Sequence, residues 1–527
     1  MNLRPAAPRP TALPLDRVRG GRGRSTVPIR PAVSVAVAGL VTLVVHLLFL
    51  SRDLSPDEGG YAVVARLWHL PGPYLYGPTW VDRPPGLVSA FALADHLGTY
   101  GVRLVAALAA TVLVAAVGSA ARAVAGHRAA AWSAWTAAAL VCSVRLDGQR
   151  LDGELLAATC VSLAAALLVH ALCAQRHAVA LGLLSGAAAS AALTMKQSFG
   201  DGLVLLAVVL AVGLRRRPDR VRRVAVAAAV GAGVPLLATL LWAAAHGRVR
   251  ALGHALFGFR LDAAALLSVR PGGAPERLHT MLLEALVTGL ALLLVAALAG
   301  RVRHLLRGEP LTCGLAAAIL VELGGIAAGG GYWDHYLLAL VPTTALLVGL
   351  CLRHGCATPR LLRRLVRAAV VAAGLSTAVA TIPAAYAEHA TAQGPAVAGR
   401  WLAASARPGD TVVVPFTHAE VIDASGLRPA YPYLWSLPTQ VEDPHLRLLD
   451  ATLTAPTGPT WVVGWNRPES FGLDPVGFDG ALDGSYRAVA EVCGHPVWLR
   501  DGVTRRLAPI PPDDVCHQPE YPLEHLP

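Results

Sequence analysis

A succession of apolar runs, each long enough to cross about 30 Å of hydrocarbon, limits what this chain can fold into. They occupy 32–50, 101–121, 129–146, 154–173, 178–194, 199–214, 224–245, 279–300, 310–328, 335–352 and 366–386. In lipid every backbone N–H and C=O must be paired within its own segment. Runs of this length therefore predict a polytopic α-helical membrane protein with about eleven transmembrane helices. Charged residues make up 15% of the chain, against about 25% in an ordinary soluble domain, which points the same way. The apolar stretch 86–98 is too short to span and reads as an interfacial or re-entrant helix. Residues 1–30, rich in Pro, Arg and Gly, read as a basic disordered tail. The first run lacks a small-residue cleavage site and reads as an anchor, not a signal peptide.

The net charge of +11 sits in clusters that alternate with the apolar runs, which excludes a continuous nucleic-acid-binding face. Arginine groups fall in Arg122–Arg128, Gln175–His177, Arg215–Arg223, Arg301–Arg307 and Arg353–Arg367. The positive-inside rule places these in the cytoplasm, with the N-terminus. Segments 51–100, 147–153, 195–198, 246–278 and 329–334 then lie outside, together with everything after 387. Heavy use of alanine and arginine suggests a GC-rich bacterial genome, so the expected location is a bacterial plasma membrane.

The outside segments hold the chemically unusual residues. Asp57 and Glu58 stand side by side in Ser-Pro-Asp-Glu-Gly-Gly-Tyr, within what reads as a polar loop of about 35 residues. Arg83 lies in the same loop, in Asp-Arg-Pro-Pro-Gly. Asp147, Asp152 and Glu154 border the next outside segment, and His335 and Tyr336 open the tenth run. Lys196 is the one lysine among 45 basic residues. Desolvating charges near lipid costs several kcal/mol, roughly, unless they are paired or wet, so these residues predict a site for a charged substrate. Plainer roles stand beside this one. Asp57 and Glu58 can cap a helix, Asp152 can cap the fourth span, Lys196 can snorkel, and Arg83 can anchor the interface. The outside histidines His246, His254 and His335 show no metal-ligand spacing, so no metal is expected.

Residues 31–386 read as the membrane domain and 387–527 as a small extracytoplasmic α/β domain. Strand-like runs lie at Thr411–Phe416, Thr460–Trp465, Tyr486–Val492 and Pro496–Leu499, with a helix at Ala396–Ala406. Of eight cysteines only Cys493 and Cys516 fall outside, and they are expected to form a disulfide.

Several of these motifs, in order, resemble a known family. They are Asp-Glu-x-x-Tyr (57–61), Arg-Pro-Pro-Gly (83–86), Gly-Val-Arg-Leu (101–104) and Arg150-Leu151-Asp152-Gly153-Glu154-Leu155-Leu156. Thr194-Met195-Lys196 and His335-Tyr336-Leu337-Leu338 with Pro342 follow. The set is similar to lipid-linked-sugar glycosyltransferases of the GT-C fold, in particular protein O-mannosyltransferases and aminoarabinose transferases. The resemblance covers about residues 32–386. It implies transfer of a sugar from a polyprenyl phosphate donor to a protein, glycolipid or polysaccharide acceptor at the outer membrane face, without a cofactor. It also implies roles: Asp57, Glu58 and Asp152 for catalysis, with Asp57 as the base. Lys196, Arg83 and Tyr336 would bind the donor phosphate. Tyr61, His335, Arg260 and Glu154 would contact the acceptor or belong to a lid. The segment 246–278, with Phe257-Gly258-Phe259-Arg260, reads as an amphipathic lid. Many relatives have an arginine two residues after the Asp-Glu pair, where this chain has Gly60. One donor-phosphate contact is then either absent or supplied by Arg103 or Arg260. The competing function class is a transporter or flippase of a lipid-linked saccharide, which should show matched halves and midplane charges.

Overall fold

The computed structural model describes residues 30–68, 75–173, 176–215, 218–269, 273–355, 358–388 and 394–516. The predicted tail up to residue 29, Gln175, Arg216, Arg217, Cys356 and residues 389–393, just past the expected domain boundary at 386/387, lie outside the described residues.

The protein is a helical membrane body carrying a small mixed sheet at its C-terminal end. By length and composition eight helices suffice to cross a membrane, and the bent pair Ala274–Val287 and Leu290–Leu306 makes nine. The sequence-based expectation of eleven differs at three helices. Arg30–Leu47, His127–Val141 and Asp201–Leu214 have 18, 15 and 14 residues. At a rise of 1.5 Å per residue these measure about 21–27 Å, short of the hydrocarbon thickness on their own.

Two segments expected as loops are helical. Pro56–Trp68 is a helix that starts on proline and places Asp57 and Glu58 in its first turn, where carboxylates face the positive end of the helix dipole. Its 3.6-residue period is hidden in the sequence because it is buried nearly all round, on Glu58, Gly59, Gly60, Tyr61, Val63, Val64, Ala65 and Leu67. Val249–Val269 is helical too, with a π-turn at His254–Gly258. It is apolar enough to pass as a span, yet it packs on the Ser436–Glu442 helix of the tail, and Phe259 meets the Trp80 ring at 4.6 Å. Those contacts put it on the side of the membrane body that carries the tail. The expected short interfacial helix is present as Pro85–His96.

The tail sheet has strands β1 (Thr411–Val413), β2 (Arg428–Pro429), β3 (Trp461–Val463), β4 (Tyr486–Val492) and β5 (His495–Arg500). Their order is β2-β1-β3-β5-β4. β1 pairs in parallel with β2 and β3, and β5 pairs antiparallel with β3 and β4. The four expected strands are there, and β2, two residues long, gave no signal. Cys493 and Gly494 turn the β4–β5 hairpin with φ of 53° and 77°, the left-handed pair a tight hairpin needs. Cys493 is bonded to Cys516, the expected disulfide. One buried cluster runs from the membrane helices into the tail through Trp401, Leu434 and Trp461, and a second lies under the sheet around Phe416, Leu449 and Phe478.

Candidate active site

The polar residues from the segments expected outside meet where Pro56–Trp68, the 82–86 turn, the start of Gly153–Cys173, the end of Ala178–Met195 and the 3₁₀ turn Asp334–Ala339 converge. Close packing builds this junction. A Cβ on Gly86 would lie 2.5 Å from the Thr194 carbonyl, so only glycine lets the Arg-Pro-Pro-Gly turn seat against the Lys196 segment.

Lys196 follows the Ala178–Met195 helix and is 8% exposed. Its ammonium is paired with the Glu154 carboxylate and lies 4.0 Å from the centre of the Tyr336 ring. His335 Nε2 is 3.4 Å from the same carboxylate, and His335 Nδ1 is 3.9 Å from Asp147. Arg150 binds Asp147 at 3.1 Å. Burial raises the Asp147 pKa, but Arg150 and His335 outweigh it and hold this carboxyl at about 2.

Asp152 does two things at once. Its Oδ1 accepts from the Leu155 N–H at 2.7 Å, capping the following helix, while its buried Oδ2 has no hydrogen-bond partner among the described residues. Burial, and then the adjacent Glu154 charge, push this carboxyl up to about 8. The capping role and a free polar oxygen thus coexist in one side chain.

Arg83 and Arg260 share a carboxylate. Arg83 Nη1 is 2.6 Å from Asp82 Oδ2, and Arg260 pairs with the same oxygen. Burial opposes ionisation of Asp82, but the two guanidiniums prevail and hold it below its ordinary value. Two cations against one anion leave a net positive charge beside Lys196. Arg83 also lies 5.9 Å from the centre of the Tyr61 ring.

Asp57 and Glu58 part company. Asp57 is half-buried and forms no hydrogen bond or ion pair among the described residues. Glu58 is 1% exposed, clasped by Arg103 through both guanidinium nitrogens, and accepts from the backbone N–H of Ser55 and Leu151 at 3.0 and 2.8 Å. Every strong acceptor position on Glu58 is used, so its place is that of a strut between the Asp57 helix and the membrane body. Arg103, 3% exposed and committed to Glu58, is equally unable to meet a phosphate. Of the two arginines expected to replace the missing one, Arg260 stands at the site.

A cavity of about 580 Å³ opens beside this cluster. Lys196, Glu154, Arg260 and Tyr336 line one part of it, and Leu256, Leu261, Val321 and Ile326 form apolar wall. Asp201 and Glu322, 1% and 5% exposed, line it as well. Neither was picked out from sequence, although an acidic residue inside an apolar run is a readable signal. Gln197, which donates to the Asp82 carbonyl at 3.0 Å, was also missed.

Among the described residues one group has metal-ligand character: donor atoms of Asp152, Glu154 and His335 lie within 4.8 Å of one another. It fits a divalent ion poorly, because the Lys196 ammonium already neutralises Glu154 and would repel a cation there.

No protein-family model and no curated protein matches the chain. Solved structures do. The chain is similar to ArnT from Cupriavidus metallidurans bound to undecaprenyl phosphate, with a TM-score of 0.54 and 17% identity, over 89% of this chain and 97% of that one. It is also similar to the Archaeoglobus fulgidus oligosaccharyltransferase in complex with Zn and sulfate, with a TM-score of 0.51 and 14% identity, over 82% of this chain and 67% of that one. The same archaeal enzyme bound to an inhibitory peptide and a dolichol-phosphate gives a TM-score of 0.51 at 14% identity, over 82% and 69%. Both neighbours are lipid-linked-sugar transferases, and the chain has their fold, GT-C.

Proposed function

We propose that the protein is a membrane glycosyltransferase that moves a sugar from a polyprenyl phosphate donor to a hydroxyl-bearing acceptor at the outer face of a bacterial plasma membrane. One observation carries this: the chain's lone lysine is buried at the polar part of an apolar-walled cavity, with Arg260 beside it. A phosphate on a hydrocarbon chain is the ligand such a cavity accepts. The bound polyprenyl phosphates of the structural neighbours support the same reading.

In this reading Asp57, free of partners, takes the proton of the acceptor hydroxyl as its oxygen attacks the anomeric carbon. The bond from that carbon to the phosphate oxygen breaks, its electron pair stays on the phosphate, and the anomeric configuration inverts. Lys196, Arg83 and Arg260 stabilise the negative charge that gathers on the departing phosphate. Tyr336 holds Lys196 in place through its ring face. Asp152, by its unpartnered oxygen, orients hydroxyls of the sugar or acceptor. These charges are supplied by side chains, which makes a divalent metal less necessary.

Purified protein given a panel of polyprenyl-phosphate sugars should release polyprenyl phosphate with at least one of them, unaffected by a chelator. Release with none would refute the enzyme reading. The transporter reading is favoured by Glu322, an acid inside the membrane helix Pro310–Gly329. It requires instead that intact lipid-linked saccharide cross a vesicle bilayer.

A further inference from the structure

The helix that carries Asp57 is gripped from two sides. Glu58 and Arg103 tie it to the membrane body, and the tail covers the other face. A Cβ on Gly59 would lie 2.5 Å from Glu420 Cα, and one on Gly60 would lie 2.2 Å from Cζ2 of Trp435. No side chain fits in either gap, so the two glycines let the tail close onto this helix.

Further contacts hold the same interface. Arg66 binds Asp423 at 2.8 Å, the Tyr61 and Trp435 rings are 5.4 Å apart, and the Trp80 N–H donates to the Pro432 carbonyl at 3.3 Å. The Trp80 ring also meets Tyr433 at 5.9 Å. Adjacent glycines are the weakest helix formers short of proline. Placed just after Asp57, they leave its helix dependent on outside support. Trp435 Nε1 is buried with no acceptor among the described residues, so the indole contributes shape to this contact.

We propose that the tail domain is a working part of the active site, with Trp435 as a positioning residue. Its benzo edge, seated on Gly60, fixes the helix that presents Asp57 and Tyr61 to the reacting groups. The proposal rests on the reading of Asp57 as the base.

Three variants test it: Gly60→Ala, Trp435→Phe and the two combined. Misplacing a reacting group by about 1 Å costs on the order of a hundredfold in rate. Each single variant should therefore lower kcat by at least about tenfold, while affinity for polyprenyl phosphate stays within about twofold, because Lys196 and Arg260 stand on other elements. The smaller phenyl ring leaves room for the alanine methyl, so the double variant should regain much of the lost kcat, a departure from additivity expected of touching residues. A second readout needs no activity. In an Asp57→Cys background, maleimide labelling should speed up with Trp435→Phe and slow again when Gly60→Ala is added. Unchanged kcat in both single variants, or a double variant whose loss is the product of the two, overturns the clamp. Should the parent transfer no sugar at all, the function reading has failed by itself. The labelling rates then decide the clamp alone: three equal rates refute it.

Discussion

Asp57 and Glu58 are neighbours in sequence with opposite fates, and the difference lies in what each meets. Glu58 is neutralised by a two-pronged guanidinium and two backbone N–H groups, while Asp57 keeps its carboxylate unengaged among the described residues. Asp57→Asn should therefore leave folding and binding of polyprenyl phosphate intact and lower turnover by at least about 100-fold, the low end of general-base contributions. Transfer near the parent rate would remove Asp57 from that role. Asp152 makes a prediction about stability. Its pKa rises from 3.8 to about 8 on folding. Stability that is fully present below 3.8 is then lost as the pH climbs toward 8, because burial penalises the charged form. Asparagine keeps the helix cap without the charge. Melting curves of Asp152→Asn and the parent should thus separate in favour of the variant as the pH is raised from 5 to 8, and parallel curves would show that Asp152 does not titrate in that window.

At the scale of elements, the end of the Ala178–Met195 helix presents a single ammonium to the cavity. Lys196→Ala should weaken binding of polyprenyl phosphate itself, since the charge it meets survives in the product. Charge-assisted contacts of this kind are worth roughly 1.5–3 kcal/mol, so affinity should fall by about ten- to a hundredfold in a direct binding titration. Lys196→Arg should restore part of it, because the planar fork keeps the charge but fits a compact pocket less well. An alanine variant that binds as tightly as the parent would reduce Lys196 to a boundary anchor. The Pro85–His96 helix and the arginine-rich end of Leu290–Leu306 belong to opposite faces in the topology proposed from charge. Leu97→Cys, exposed just past the first of these, should label from outside, and Arg303→Cys only after permeabilisation. Outside labelling at position 303 would sink that topology.

At the scale of the molecule, the disulfide closes a loop of 23 residues at the end of the tail. Loop-closure entropy makes this worth about 3 kcal/mol. Cys493→Ser should lower the melting temperature of the full chain, and through the tail's grip on Asp57 it should lower turnover as well. A lower melting temperature with unchanged turnover would uncouple the tail from catalysis.

Much of this architecture was legible along the chain. Long apolar runs allow only helices in lipid, and alternation with turn residues marked four of the five strands. The motifs also singled out Asp57, Arg83, Asp152, Glu154, Lys196, His335 and Tyr336 as candidates, the charged ones because charges beside apolar runs are costly enough to stand out. The sequence did not show what each charge is paired with. That Glu58 is spent on Arg103, that Asp82 joins Arg83 to Arg260, and that Trp435 rests on Gly60 are contacts between residues 45, 178 and 375 positions apart. The helix holding Asp57 was hidden for the same reason. Buried on both sides by distant segments, it has no polar face to show a period. Sequence alone determined which elements form and which residues carry charge, since both follow from local chemistry and solvent. Which carboxylate is left without a partner among the described residues was decided by tertiary structure, because pairing depends on distance in space.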